Sequence, residues 1–146
     1  MATLERIWIK RAHKGPMDEV REAEAVLDGG LSTSADQGGQ RQVTILSAER
    51  WTEIMAELDA DLDPVVRRAN LFVTGIDLVE SRGRIVRIGD VELTIRGETR
   101  PCALMDEIQP GLQEALRARW GGGAFAQVTR GGTIRAGDSV SLLDPA

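Results

Sequence analysis

Cys102 is the one side chain in this sequence that can act as a soft nucleophile or bind a soft metal ion. It is the only cysteine in 146 residues, and the chain has a single histidine. One cysteine cannot form an intrachain disulfide, which indicates a reducing compartment. One cysteine and one histidine cannot supply the three or four ligands of a structural zinc site. The chemistry that remains is that of a lone thiolate, which can ligate a soft metal or carry sulfur.

The sequence around Cys102 predicts where this thiol lies. Pro101 fits the first turn of a helix that we predict over residues 101–108, where its missing N–H is no loss. A cysteine there would face unpaired backbone N–H groups and the positive end of the helix dipole, which favour a thiolate. The alternative is that Cys102 is a small buried hydrophobic residue, because free cysteines are among the most buried residues.

Other polar groups allow weaker interpretations. Arg67-Arg68-Ala69-Asn70 places two guanidinium groups and an amide beside a predicted strand, where they could hold an anion or form a solvated surface. His13 lies in a basic loop and is predicted to be a surface residue. Gly121-Gly122-Gly123 lacks the spacing of a phosphate-binding loop and is predicted to end a helix.

Composition excludes several classes of protein. There are 18 basic and 23 acidic side chains, and the aromatic residues are three Trp and two Phe. A nucleic-acid surface would need excess positive charge and more stacking groups. No apolar run exceeds four residues, so no membrane span is predicted, and the charged N-terminus lacks a secretory signal. We therefore expect a cytoplasmic protein with a single domain over residues 1–146.

Hydrophobic periodicity predicts a mainly β protein with helical insertions. Ser47 is predicted to cap a helix that ends near Leu58, and a second helix is predicted over residues 111–120. Residues 16–27 fit either a helix or a strand. The predicted strands cover residues 4–10, 41–46, 71–74, 85–88, 91–95, 124–129, 133–135 and 139–143. Short strands with glycine turns predict an α+β fold with a β-barrel-like sheet.

In order along the chain, these motifs resemble those of the MOSC domain, named for the C-terminal domain of molybdenum-cofactor sulfurases. The resemblance covers residues 5–143. The motifs that carry it are Gly30-Leu31, Arg41-Gln42-Val43-Thr44, Arg68-Ala69-Asn70 with the strand after it, Arg87-Ile88-Gly89-Asp90, Pro101-Cys102, the helix that ends at Gly122, and Gly132-Thr133-Ile134-Arg135-Ala136-Gly137-Asp138.

The resemblance implies a β-barrel-like MOSC fold and a function centred on Cys102. It implies that Cys102 is the catalytic residue and ligates molybdenum of the molybdenum cofactor (molybdopterin). Arg41, Arg68 and Asn70 would then contact the phosphate or pterin of this cofactor. The implied activity is the reduction of N-hydroxylated compounds or related small molecules, with a redox partner protein.

Two other functions remain open at this stage. In the first, Cys102 carries a persulfide from a sulfur-donor protein to a metal centre. In the second, the chain is a binding module without catalysis, which the first loop favours. Family members usually continue Gly-Leu-x-Gly-Asp-x-His, whereas this chain has Gly30-Leu31-Ser32-Thr33-Ser34-Ala35-Asp36, with Thr33-Ser34 in place of Gly-Asp and Asp36 in place of His.

Overall fold

The structure, a computed structural model, describes residues 2–35 and 38–145. Its strands, in chain order, are β1 (Thr3–Lys10), β2 (Met17–Val20), β3 (Glu22–Val26), β4 (Gly30–Leu31), β5 (Val43–Ser47), β6 (Leu71–Thr74), β7 (Ile85–Ile88), β8 (Val91–Glu98), β9 (Ala124–Arg130), β10 (Gly132–Arg135) and β11 (Val140–Leu143). The helices are α1 (Ala48–Glu57), α2 (Leu104–Ile108), α3 (Leu112–Arg117), and two 3-10 helices at Pro64–Arg67 and Ala118–Trp120.

Most strands join one large mixed sheet, which confirms the predicted fold class. The sheet has eight strands in the order β11-β7-β8-β9-β5-β6-β1-β2, and only the β5–β6 pair is parallel. A second sheet has the order β10-β3-β4. Along β8 the burial alternates, because Val91, Leu93 and Ile95 face the core while the residues between them face outward.

The large sheet curls so that its two ends approach each other. β2 pairs only with the C-terminal half of β1, which leaves one edge of the N-terminal half available. Residues just before β11 form hydrogen bonds with that edge. Thr3 forms an isolated bridge with Ser139, and Leu4 N–H donates to the Asp138 carbonyl at 2.9 Å. The sheet is thus barrel-like without a complete ladder at the junction.

Two apolar clusters lie on opposite faces of this sheet. The first fills the space between the two sheets and includes Ile45 of β5 and Ile134 of β10. The second lies under the helices and includes Leu46 of β5 and Trp51 of α1. Since successive residues of a strand point to opposite faces, Ile45 and Leu46 separate the two clusters. The helices therefore cover the outside of the sheet, where the predicted site residues also lie.

Local predictions were confirmed at some elements and wrong at others. Ser47 caps α1, because its side chain accepts the Arg50 N–H at 3.2 Å, and Ile88 and Val91 flank the predicted Gly-Asp hairpin turn. The ambiguous segment 16–27 contains β2 and β3. The predicted helix over 111–120 is α3 followed by a 3-10 helix. Pro101 does not lie in a first helical turn, since α2 begins only at Leu104.

No helix among residues 2–35 and 38–145 is long and apolar enough to cross a membrane.

The 3-10 helix Pro64–Arg67 is fixed to the sheet by charged side chains. Asp63 caps it by accepting the Val65 N–H at 2.9 Å. Arg6 of β1 donates to Asp63 at 3.0 Å and to Glu19 of β2 at 2.7 Å, while its guanidinium lies 4.7 Å from the Trp8 ring centroid. These contacts tie the helix to two strands and thereby fix the position of its last residue, Arg67.

We predict that Asp63→Ala lowers the free energy of unfolding by about 1 kcal/mol, the usual effect of losing an N-cap. Partial burial raises the pKa of Asp63, but the Val65 N–H and the Arg6 ion pair outweigh it, and the net pKa is below its ordinary value. The stabilisation is therefore present above the ordinary pKa of aspartate and is lost as the pH falls through the lowered value. Urea unfolding at neutral and acid pH measures this, with the exposed Asp61→Ala as control. Equal effects of both variants would contradict the prediction.

Candidate functional site

Arg67 is the positive charge around which the candidate site is built. It is partly buried, and its guanidinium crosses to the segment that follows β8 and the segment that precedes β9. Its Nε donates to the Gly122 carbonyl at 3.1 Å, and its Nη2 donates to the Thr99 carbonyl at 3.2 Å. Two carbonyl oxygens thus hold this cation in place, and no carboxylate of residues 2–35 and 38–145 forms an ion pair with it. The positive charge remains available to a nearby anion.

Cys102 lies next to that charge. Burial lowers the pKa of Arg67 from its ordinary value, and a Coulombic interaction with the nearby Cys102 acts in the opposite direction. The Cys102 side chain is exposed, so the alternative of a buried hydrophobic cysteine is wrong. The expected position at a helix start also differs: Cys102 precedes α2, which has only five residues and no side-chain cap. The guanidinium of Arg67, rather than a helix dipole, is the positive group beside the thiol.

Glycine residues allow close packing of the three segments that contain Arg67, Thr99 and Gly122. A Cβ on Gly122 would overlap the Thr99 carbonyl oxygen and come within 3.0 Å of Arg67 Nη2 and 3.4 Å of Pro101 Cδ. Gly123 has a φ of +100°, and a Cβ there would overlap the Ile45 carbonyl oxygen. The glycine run ends a helix, as predicted, and it also allows backbone to pack on backbone beside Cys102.

The surroundings of the thiol are polar and mostly basic. A cleft of about 420 Å³ opens next to it and is lined by Glu98, Arg100, Pro101 and Arg117. Thr99 Oγ1 is buried and has no hydrogen-bond partner among residues 2–35 and 38–145. An unpaired buried hydroxyl is costly, and it retains its full capacity to bond a ligand.

Asn70 has its side chain fully engaged by the strands. Its Oδ1 accepts the Thr44 backbone N–H at 3.0 Å, and its Nδ2 donates to the Trp8 carbonyl at 3.1 Å. Asn70 is 8% exposed. It therefore links β1 and β5 directly, and these bonds position the segment that begins with Arg67.

Arg68 and Arg41 are exposed and approach the same outer face from different elements. Arg68 has a left-handed backbone (φ 61°), and its Nη2 donates to the Gly15 carbonyl at 2.6 Å. The Arg41 guanidinium lies 4.6 Å from the ring centroid of Phe125, whose backbone pairs with Thr44. Because Thr44 bonds Asn70, a continuous chain of contacts joins Arg41 to the Arg67 segment. The structure brings Cys102 near Arg67, whereas Arg41 contacts Phe125 and Arg68 contacts Gly15.

The first loop, which departs from the family pattern, is attached to the end of β1. Ser34 Oγ accepts the Lys10 N–H at 3.0 Å, and Thr33 has a φ of 70°. Asp36, the residue predicted to stand in place of the family histidine, lies outside the described residues. His13 is exposed in the turn after β1, as predicted.

The donor set fits a metal that arrives with ligands of its own. No group of three or more His, Cys, Asp or Glu side chains capable of holding a metal occurs in the described part of the chain. A cofactor that chelates its metal and carries a phosphate needs only one soft protein ligand and nearby guanidinium groups. Cys102 is a soft ligand of this kind with the Arg67 guanidinium nearby, and Arg41 and Arg68 are further exposed arginines.

The sequence alone did not single out Arg67 of the Arg67-Arg68 pair. Both residues were recognised as able to hold an anion. The family motif includes Arg68 alone, yet it is Arg67 that reaches the Thr99 and Gly122 carbonyls. The left-handed backbone of Arg68 turns the chain between them, and no sequence signal predicts that conformation for an arginine.

We predict that Gly122→Ala destabilises the protein by about 1–3 kcal/mol, the usual cost of overpacking. The added methyl group must displace the Thr99 carbonyl or Arg67, because both lie within contact distance. Gly38→Ala is the control, since a Cβ there meets nothing within 4 Å. Thermal unfolding of the two variants measures the difference, and an unchanged midpoint for Gly122→Ala would contradict the prediction.

We also predict that Arg67→Met slows alkylation of Cys102 by iodoacetamide at neutral pH. Nearby guanidinium groups stabilise a thiolate, which is the form that reacts. Arg21→Met removes the same charge from the exposed start of β3 and should leave the rate unchanged. Mass spectrometry of the alkylated protein over time gives both rates, and equal slowing by the two variants would show that only net charge matters.

Comparisons with known proteins identify the family and the fold. The sequence model of the MOSC domain matches residues 11–141. The fold is similar to the crystal structure of the YuaD protein from Bacillus subtilis, with a TM-score of 0.83 and 21% identity over 99% of this chain and 97% of that chain.

YiiM from Escherichia coli has a TM-score of 0.73 and 16% identity, over 100% of this chain and 71% of that one. YiiM from Geobacillus stearothermophilus has a TM-score of 0.74 and 15% identity, over 99% and 76%. A search among curated protein sequences finds no match. Since the family model spans nearly the whole chain, this protein belongs to the MOSC domain family.

Proposed function

We propose that this protein binds the molybdenum cofactor (molybdopterin) and that Cys102 Sγ is its ligand to molybdenum. The observation that carries the proposal is the proximity of an exposed thiol to the Arg67 guanidinium, which donates to the carbonyl oxygens of Gly122 and Thr99. A thiolate suits a soft metal, and an adjacent cation stabilises that thiolate. When bound, the cofactor supplies a metal centre that accepts and releases electrons.

The basic residues around the thiol have separate roles in this proposal. Arg67 holds the positive charge beside Cys102. Arg41 and Arg68 are exposed and bind the phosphate of the cofactor, because guanidinium forks match phosphate oxygens in two-point contacts. Arg41 is already oriented by the Phe125 ring. Asn70 acts as a positioning residue, since its amide atoms bond Thr44 and Trp8.

The cleft beside Cys102 is the proposed place for the small-molecule substrate. Arg100 and Arg117 line it together with Glu98. Reduction of an N-hydroxylated compound or related small molecule, with electrons from a redox partner protein, is the reaction that we propose for this cleft.

The exposure of Cys102 also favours a second function, that of a sulfur carrier. In this reaction the Cys102 thiolate attacks the terminal sulfur of a persulfide on a donor protein. A new S–S bond forms on Cys102, the S–S bond of the donor breaks, and the donor leaves as a thiolate. Arg67 would stabilise both the attacking thiolate and the persulfide anion. This function requires no metal and no particular group in the first loop.

We predict that the protein purified from a host that makes the cofactor contains molybdenum and phosphorus in equal amounts. Elemental analysis should show that Cys102→Ser loses most of the molybdenum. Arg41→Gln should lower both elements, because it removes a phosphate contact. Arg130→Gln, which removes an exposed arginine from the end of β9, is the control. Absence of molybdenum from the wild-type protein would contradict cofactor binding.

We predict for the sulfur carrier that incubation with a cysteine desulfurase and cysteine adds 32 Da to the wild-type protein, the mass of one sulfur atom. Mass spectrometry of peptides should place the addition on Cys102, and Cys102→Ser should show none. An adduct that persists in Cys102→Ser would contradict this function. A protein with neither molybdenum nor a persulfide would be the non-catalytic binding module.

A further inference from the structure

A second cavity lies near Arg119 and Trp120, at the opposite end of the 118–123 segment from Cys102. Its volume is about 430 Å³, which falls within the range of small-ligand sites. Its walls come from α1, from the segment after β6, and from the 3-10 helix Ala118–Trp120. None of the residues that we assign to the thiol site lines it.

A buried arginine in the wall of this cavity has an unused donor. Arg50 is only 7% exposed. Its Nη1 lies 3.4 Å from Glu53 and 3.3 Å from Glu57, and its Nη2 donates to the Ala115 carbonyl, whereas its Nε has no partner among the described residues. Arg119 lies beside it and makes one ion pair of 3.8 Å, also with Glu53. Glu53 and Glu57 therefore balance the charges of the two guanidinium groups, and the buried Nε of Arg50 is the donor that remains for an additional oxygen ligand.

Two carboxylates in the same cavity lack a cation. Glu49 accepts the Gly75 N–H at 2.9 Å, and Asp77 accepts the Val79 N–H at 3.0 Å. Neither forms an ion pair with another described residue. Each retains a second oxygen that can bind an ammonium group. The cavity therefore offers separate sites for a negative and a positive group.

The rest of the wall is apolar and includes a strained aromatic residue. Ile76, Leu78, Val79 and Trp120 supply this surface. Arg119 and Trp120 are consecutive non-glycine residues with φ of 51° and 55°. Such backbone conformations cost energy and are enriched at binding sites. Here they place the charged group of Arg119 and the ring of Trp120 at one cavity.

We propose that this cavity binds a small zwitterion with an apolar body, the chemical class of the apolar α-amino acids. Its carboxylate binds at Arg50 and Arg119, its ammonium group binds at Glu49 and Asp77, and its side chain packs on Trp120. Both charges are needed, because a ligand with only one of them leaves either the Arg50 Nε donor or the carboxylates of Glu49 and Asp77 without a partner.

The test compares L-phenylalanine with its two halves, 2-phenylethylamine and 3-phenylpropionate, by isothermal titration calorimetry. We expect phenylalanine to bind in the millimolar range or tighter, at least about tenfold more tightly than either half. Arg119→Gln and Asp77→Asn should each weaken binding at least about fivefold, while Arg130→Gln and Asp90→Asn, which lie outside the cavity, should not.

The proposal is independent of the thiol site, so Cys102→Ser should bind phenylalanine as the wild type does. Failure of phenylalanine to bind would overturn it. Equal affinity for phenylethylamine or phenylpropionate would also overturn it, because the cavity would then select a single charge. Binding that is insensitive to Arg119→Gln and Asp77→Asn would place the ligand elsewhere and would count equally against the proposal.

Discussion

The arrangement around Cys102 depends on one buried interaction, the guanidinium of Arg67 between the carbonyl oxygens of Thr99 and Gly122. Burial of an arginine without a carboxylate is costly unless its donors are satisfied, and here backbone oxygens satisfy them. The use of backbone oxygens as the partners of Arg67 has a chemical consequence. A carboxylate partner would neutralise the guanidinium, whereas carbonyl oxygens leave its full charge beside the thiol.

Several features of the fold serve this interaction. Asp63 caps the 3-10 helix that ends at Arg67, and Arg6 fixes that cap to the sheet. The absence of a side chain at Gly122 lets the Thr99 backbone approach. The same segment continues back to Trp120, which lines the second cavity. The glycine run therefore separates two pockets of different chemistry, one basic with a thiol and one with charges of both signs.

The sequence predicts the sheet better than it predicts the site. Alternation in β8 and the Gly-Asp turn before it depend on local side-chain pattern, and both are confirmed. Ordered motifs identified the family. Two features could not be predicted, because they result from tertiary packing: the left-handed backbone of Arg68, and the start of α2 at Leu104 and not at Pro101. The engagement of Asn70 by two strands is likewise a consequence of sheet assembly.

The central claim is that Cys102 Sγ binds molybdenum, and X-ray absorption at the molybdenum edge tests it most directly. The wild-type protein and the Cys102→Ser variant are both purified from a cofactor-producing host, and their spectra are compared. The account predicts that the wild-type spectrum contains one more molybdenum–sulfur bond than the variant spectrum. The same number of sulfur neighbours in both proteins would contradict it.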